Sequence, residues 1–194
     1  MPRRSAPAVP LPDGFAYQPA FLTEAEESDL LQHIRSLDFQ PFDFHGYMAR
    51  RRIVAYGWDY DFGTRKATPT APIPPFLRSI RDRAAEFAGI PAAEIVEAVV
   101  TDYPPGAPIG WHRDVPQFET IIGISLASTC RMRLKPYKAE GKIASIILAP
   151  RSIYVICRAA RWQYQHSIPP VEAQRYSITF RTPRRREKTS TRAA

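Results

Sequence analysis

Residues 172–182 read EAQRYSITFRT. From Arg175 to Arg181 the polar and apolar residues alternate without a break. Arg175, Ser177, Thr179 and Arg181 stand on one side, Tyr176, Ile178 and Phe180 on the other. A period of two is that of a β-strand with one face in a core, because successive side chains leave a strand on opposite sides. The polar face raises the question. It carries two guanidinium groups six positions apart.

Working outward, the second half of the chain is built from similar runs. EIVEAVVTDY (94–103), ETIIGISLAS (119–128), RMRLKPY (131–137), KIASIILAP (142–150) and SIYVIC (152–157) are short β-branched segments separated by Pro, Gly and charge. The first half differs. LTEAEESDLLQHIRSLDF (22–39) has Leu30, Leu31, Ile34 and Leu37 at helical spacing, with Thr23 and Glu26 placed as a capping box. PPFLRSIRDRAAEFAG (74–89) is a second helix, opened by proline and stopped by Gly89. Two helices followed by six or more strands predict an α+β fold, helices packed on one side of a sandwich or distorted barrel. The expected organisation is an irregular arm over 1–20, one domain over 21–183 and a basic, disordered tail over 184–194.

The chain has 194 residues, enough for one domain with a sizeable core. Its 20 prolines cluster between the elements as punctuation. No apolar run approaches the ~18 residues of a membrane span. The start, MPRRSAPAVPLPDGF, has no apolar segment of the secretory kind. Cys130 and Cys157 lack metal-like spacing. These features lead to the expectation of a reduced, cytoplasmic, monomeric protein. The net charge is +8, with much of the excess in MPRR and TPRRREKTSTR. Such ends are either merely solvated or attracted to a polyanion, and charge alone does not choose.

The chemistry lies in TDYPPGAPIGWHRDVPQFE (101–119), where a Pro/Gly-rich loop delivers His112 and Asp114. In extended chain, residues i and i+2 leave the same face, so an imidazole and a carboxylate can meet one metal. His166, in YQHSIPP, follows in another β-rich stretch. Two His and one carboxylate make the facial triad of non-haem Fe(II) oxygenases, which leaves adjacent positions open for a cosubstrate and dioxygen. An HxD pair alone is weak evidence. The order HxD, later His, then two arginines nine and fifteen residues on carries more. His33 and His45 read as structural or surface residues.

The two arginines can now be measured against a ligand. Six residues of strand span ~20 Å. A guanidinium reaches roughly 6–7 Å from its Cα, from bond geometry. Arginines leaning together leave roughly 6–8 Å by the same geometry, the length of a five-carbon dicarboxylate held by charged forks. Ser177 can add a hydroxyl. A dicarboxylate beside iron would be 2-oxoglutarate. The competing reading is a strand whose arginines pair with Asp or Glu across the sheet.

This order and wording resemble the AlkB family of Fe(II)/2-oxoglutarate-dependent dioxygenases, bacterial-type nucleic-acid dealkylation repair proteins. The match covers roughly residues 50–182 and rests on YPPGAPIGWHRD, YQHSIPP and above all RYSITFR. The resemblance implies that His112, Asp114 and His166 ligate Fe(II). It implies that Arg175 with Ser177 holds the distal carboxylate of 2-oxoglutarate. Arg181 would lie near the chelating end and Tyr103 would hydrogen-bond the cosubstrate. The implied fold is a double-stranded β-helix, or jelly roll, with bracing helices and a nucleotide-recognition lid over about 40–65. The implied reaction uses O2 and 2-oxoglutarate, gives succinate and CO2, and removes an N-alkyl group from DNA or RNA as an aldehyde. A protein hydroxylase or demethylase using the same cofactors is the alternative. Two departures from the family pattern are Thr101, where an asparagine is usual, and Pro116-Gln117, where the prototype has an acid.

For the substrate, RRIVAYGWDYDFG (51–63) offers Arg51, Arg52, Tyr56 and Trp58. Arginine for phosphate beside aromatics for stacking suits a single strand. A partly buried aromatic strand accounts for the same composition equally well. Trp111, Arg161 and Trp162 are further candidates for the mouth of the site.

Overall fold

The computed structural model describes residues 9–44, 47–61 and 66–184. In chain order its elements are β1 (Phe15–Gln18), α1 (Glu24–Arg35), β2 (Gln40–Phe44), β3 (Tyr47–Tyr56), β4 (Trp58–Asp61), β5 (Lys66–Pro69) and α2 (Pro75–Ala88). A 3-10 turn (Ala92–Glu94) leads to β6 (Glu97–Tyr103), β7 (Ile109–His112), β8 (Phe118–Leu126), β9 (Cys130–Pro136), β10 (Ala144–Leu148) and β11 (Ser152–Ile156). The short α3 (Arg158–Trp162), β12 (Tyr164–Ile168) and β13 (Arg175–Pro183) complete the chain.

The alternating stretch is β13, the middle strand of a seven-stranded sheet ordered β1-β11-β8-β13-β6-β3-β2. It is antiparallel to both neighbours, with Arg175 opposite Tyr103 and Arg181 opposite Glu97 on β6. A second sheet, β10-β9-β12-β7, faces the first, and β4 and β5 form a separate hairpin. This is the double-stranded β-helix architecture, an α+β fold.

Both faces of β13 are covered. Tyr176, Ile178 and Phe180 pack with Leu30, Ile34, Leu77 and Ile80 of the two helices. Ile178 and Phe180 are fully buried, each worth about 1.5–3 kcal/mol of transfer free energy. The opposite face, with Arg175, Ser177, Thr179 and Arg181, turns toward the second sheet. There a second core gathers Phe118, Met132, Leu134, Leu148, Tyr154 and Ile168. The polar face is thus interior, not solvated.

The helices begin and end where their sequences direct. Thr23 N–H donates to Glu26 Oε2 (2.8 Å) and Glu26 N–H to Thr23 Oγ1 (3.2 Å), the reciprocal capping box. Its loss typically costs about 1 kcal/mol. α2 starts on prolines and ends at Gly89, whose φ of 67° is the left-handed conformation that caps a helix without Cβ strain.

Two expectations are corrected. The arm over 1–20 is not wholly irregular: Phe15–Gln18 is an edge strand, paired from Phe15↔Ile156 to Gln18↔Ile153. The loop before the HxD contains β7, held by pairing to β12. Over the lid segment, β2 and β3 continue the large sheet beyond β6. Residues 1–8, His45 and the tail from 185 lie outside the described residues. Arg184 is held, its N–H donating to the Gln117 carbonyl (2.7 Å). Among the described residues no helix is long and apolar enough to cross a membrane.

Candidate active site

β7 and β12 are antiparallel neighbours, and their register sets His112 directly opposite His166. The ring centroids are 4.3 Å apart. Asp114 enters from the loop that follows β7. One ligand atom from each of His112, Asp114 and His166 lies within 4.8 Å of the others. His112 Nδ1 donates to the Gly110 carbonyl (3.0 Å), which leaves Nε2 as the lone-pair nitrogen.

The electrostatics suit a cation. Burial lowers the His112 pKa. Burial, with the neighbouring His112, pushes His166 down to about 3. Both imidazoles are therefore neutral near pH 7, the form that ligates metal. Burial alone would raise the Asp114 carboxyl. Arg181 outweighs it, joined by His166 and His112 only where these are protonated, and holds the group well below the usual carboxylate range. Two neutral imidazoles and one ionised carboxylate, side by side and half-shielded, form a facial-triad-like metal site.

The two strand arginines have different surroundings. Arg181 donates through Nε (3.0 Å) and Nη2 (2.8 Å) to Asp114 Oδ1, and through Nη1 to Glu97. Glu97 is its cross-strand partner. The cross-sheet pairing that competed with the dicarboxylate clamp thus applies to Arg181. It does not apply to Arg175. That residue is fully buried, and its guanidinium forms no ion pair among the described residues. Its Nε donates to Ser125 Oγ (3.2 Å), its Cζ lies 4.6 Å from the Tyr103 ring centroid, and its Nη1 has no hydrogen-bond partner. Ser177 Oγ donates to Tyr103 Oη at 3.5 Å. A buried guanidinium without a counter-ion costs several kcal/mol. The chemistry that relieves it is an anion with two acceptor oxygens, so the residues present fit a carboxylate of 2-oxoglutarate.

A cavity of about 420 Å³ opens over the triad, lined by His112, Asp114, His166, Tyr103, Thr179 and Arg181 among others; Arg175 and Ser177 are not among its lining residues. Its size is within the range of small-molecule sites. On β3 the candidates Arg51, Arg52 and Tyr56 divide by strand parity. Arg51 and Trp111 line the cavity, as does Arg50, whose Nη1 donates to the Gly106 carbonyl (3.4 Å). Arg52 points to the opposite face of β3, where it pairs with Asp102 (2.6 Å). Tyr56 packs against the helix-side core and Trp58 stands exposed on β4. Arg52, Tyr56 and Trp58 therefore do not line the cavity.

Arg161 and Trp162 are not at the mouth either. Arg161 is buried and its Nη2 donates to the carbonyls of Asp114 (3.1 Å), Val115 (2.8 Å) and Phe118 (2.9 Å). It clamps from below the loop that carries Asp114. Trp162 Nε1 donates to Glu119 (2.8 Å). Tyr154, a further wall of the cavity, went unread in the sequence. Its signal was Gly123: a Cβ there would lie 2.1 Å from Tyr154 Cζ. A lone glycine inside a strand marks such close approach.

Residues 14–184 match the 2OG-Fe(II) oxygenase superfamily. An Arabidopsis thaliana protein, Alkylated DNA repair protein ALKBH8 homolog, is 27% identical over 181 residues, covering 80% of this chain and 51% of that one. The chain thus spans about half the length of that relative. Alpha-ketoglutarate-dependent dioxygenase alkB homolog 7, mitochondrial, from Bos taurus is 30% identical over 161 residues, covering 81% and 68%. The solved structure of OsALKBH1 superimposes with a TM-score of 0.74 at 15% identity, over 91% of this chain and 100% of that one, a likeness of fold. The triad geometry, the buried unpaired arginine and these matches converge: the chain belongs to the 2OG-Fe(II) oxygenase superfamily, is related to ALKBH-type proteins, and is an Fe(II)/2-oxoglutarate-dependent oxygenase.

Proposed function

We propose that this oxygenase removes N-alkyl groups from nucleobases in DNA or RNA. The observation that carries the reading is the make-up of the cavity. Its described lining has two carboxylates, Asp114 and Glu97, both engaged by Arg181. The other charged residues of the lining outside the triad are Arg50, Arg51 and Arg113, the last with its guanidinium turned onto the Tyr137 ring, and Trp111 is among the lining aromatics. A cationic, aromatic approach to a small cavity suits a base turned out of its stack, its phosphates outside. The relative named for alkylated DNA repair supports the same substrate class.

His112, Asp114 and His166 would hold the iron, with Asp114 kept ionised by Arg181. Arg175, assisted by Ser177, would take the distal carboxylate of 2-oxoglutarate. Tyr103 would hydrogen-bond the same cosubstrate. Iron with 2-oxoglutarate and O2 supplies the oxidation: cosubstrate goes to succinate and CO2, and the N-alkyl carbon is hydroxylated, so that the C–N bond breaks and an aldehyde leaves. The protein's own share is positioning and the exclusion of water by Tyr154, Met132 and Ile168 around the reacting groups. Basic termini and the Arg51 wall favour a polyanionic substrate over a neutral peptide.

The test offers methylated and etheno-bearing oligonucleotides together with a peptide mixture to the Fe(II)- and 2-oxoglutarate-loaded protein in air. Mass spectrometry should find loss of the alkyl mass from an oligonucleotide. Gain of one oxygen on a peptide, with the oligonucleotides intact, would replace the dealkylase by a protein hydroxylase.

A further inference from the structure

The described cations differ in what they face. Arg52, Arg83, Arg151 and Arg181 each sit against a carboxylate. Arg131, Arg133 and Lys135 form no ion pair among the described residues. They alternate along β9 with Cys130, Met132 and Leu134, which enter the core between the sheets. The three cations therefore share the outer face of the four-stranded sheet, at ~7 Å intervals. Their register partners are neutral: Ile147 for Arg131, Ser145 and Ser167 for Arg133, Gln165 for Lys135. Strands β7, β9, β10 and β12 contain no Asp or Glu.

This row of charge leads to the cavity. Arg133 Cζ lies 5.0 Å and Lys135 Nζ 4.5 Å from the Trp111 ring centroid. Trp111 lines the cavity and precedes the triad's His112. At the other end Ile147 is exposed beside Arg131, an apolar surface against which a base can rest. Like charges set side by side without acids repel one another, and the repulsion is relieved by a polyanion.

We propose that the outer face of the four-stranded sheet is the track for an extended single strand of nucleic acid. Its phosphates lie along Arg131, Arg133 and Lys135, and the next nucleotide turns in past Trp111. The track rests on the nucleic-acid reading of the cavity and adds to it where the strand runs.

The experiment compares the full chain with the triple variant Arg131→Gln/Arg133→Gln/Lys135→Gln. A labelled, unmodified single-stranded oligonucleotide is titrated by fluorescence anisotropy between 50 and 200 mM salt, roughly the interval in which phosphate contacts weaken strongly. At ~0.7 in log–log slope per phosphate on a single strand, the triple variant should flatten the salt dependence by about 2. Arg131→Gln alone, at an exposed position that leaves the fold intact, should flatten it by about 0.7. Arg81→Gln, on α2, should leave it unchanged. An unaltered slope in both track variants overturns the proposal. So does loss of binding to phosphatidylserine vesicles with oligonucleotide binding retained, which would make the face a membrane contact. An oligonucleotide held by this face but never dealkylated would defeat the dealkylase and keep the track. Dealkylation with an unaltered slope would do the reverse.

Discussion

Arg181 holds one oxygen of Asp114 and leaves the other to the histidines. Its Nε and Nη2 both donate to Oδ1, while Oδ2 lies 3.7 Å from His166 Nε2. The carboxylate is thereby oriented as well as ionised, with one oxygen for the guanidinium and one for a metal. Glu97, buried at the far end of Arg181, fixes the guanidinium in turn.

Arg181→Lys keeps the charge but loses the fork. Supporting partners of metal ligands are typically worth 10–100-fold in affinity. Fe(II) affinity, measured anaerobically, should fall within that range. An unchanged affinity would mean that Asp114 needs no orienting partner.

Arg175→Met replaces a buried, unpaired cation with an apolar chain of similar length. The apo protein should be no less stable, because a buried charge without a partner is a cost. The 2-oxoglutarate requirement should rise on the order of 10²-fold or more, from the about 3–5 kcal/mol lost when one partner of a buried pair is removed. Thermal unfolding with and without 2-oxoglutarate reads both effects. A destabilised apo protein with an unchanged requirement would assign Arg175 to the fold alone.

Arg161→Met removes the clamp under the Asp114 loop and leaves three carbonyls without their donor. The expected loss is about 3 kcal/mol or more in stability, by denaturant titration, since hydrogen bonds to charged groups are the stronger ones. Fe(II) affinity should fall with it. Retained stability would show that water replaces the guanidinium.

Gly123→Ala places a methyl group where the Tyr154 ring now lies. Overpacking of this kind costs about 1–3 kcal/mol. Because Tyr154 lines the cavity, 2-oxoglutarate-dependent turnover should drop as well. Unchanged melting and turnover would mean that the ring moves aside freely.

The helices were legible because their signals are local: Thr23 with Glu26 at one start, proline at the other, Gly89 at a stop. The triad was legible because HxD and a later His are spaced by sequence. β7 was not legible. Its four residues, Ile109 to His112, follow a Pro/Gly-rich loop and form a strand only because β12 pairs with them. The substrate wall was half legible. Composition pointed to Arg51 and Arg52 alike, but strand parity puts one in the cavity and the other against Asp102. Arg161 was misplaced because its partners are backbone carbonyls more than forty residues away, which no local pattern records.

The most direct measurement follows succinate and unmodified base in one reaction, with the Fe(II)-loaded protein, 2-oxoglutarate, air and a single-stranded oligonucleotide carrying 1-methyladenine or etheno-adenine. Succinate and repaired adenine should appear together, and both should vanish in His112→Ala and Asp114→Ala. Succinate without repaired base on any alkylated oligonucleotide would contradict nucleobase dealkylation, and repair that survives loss of His112 or Asp114 would contradict the site itself.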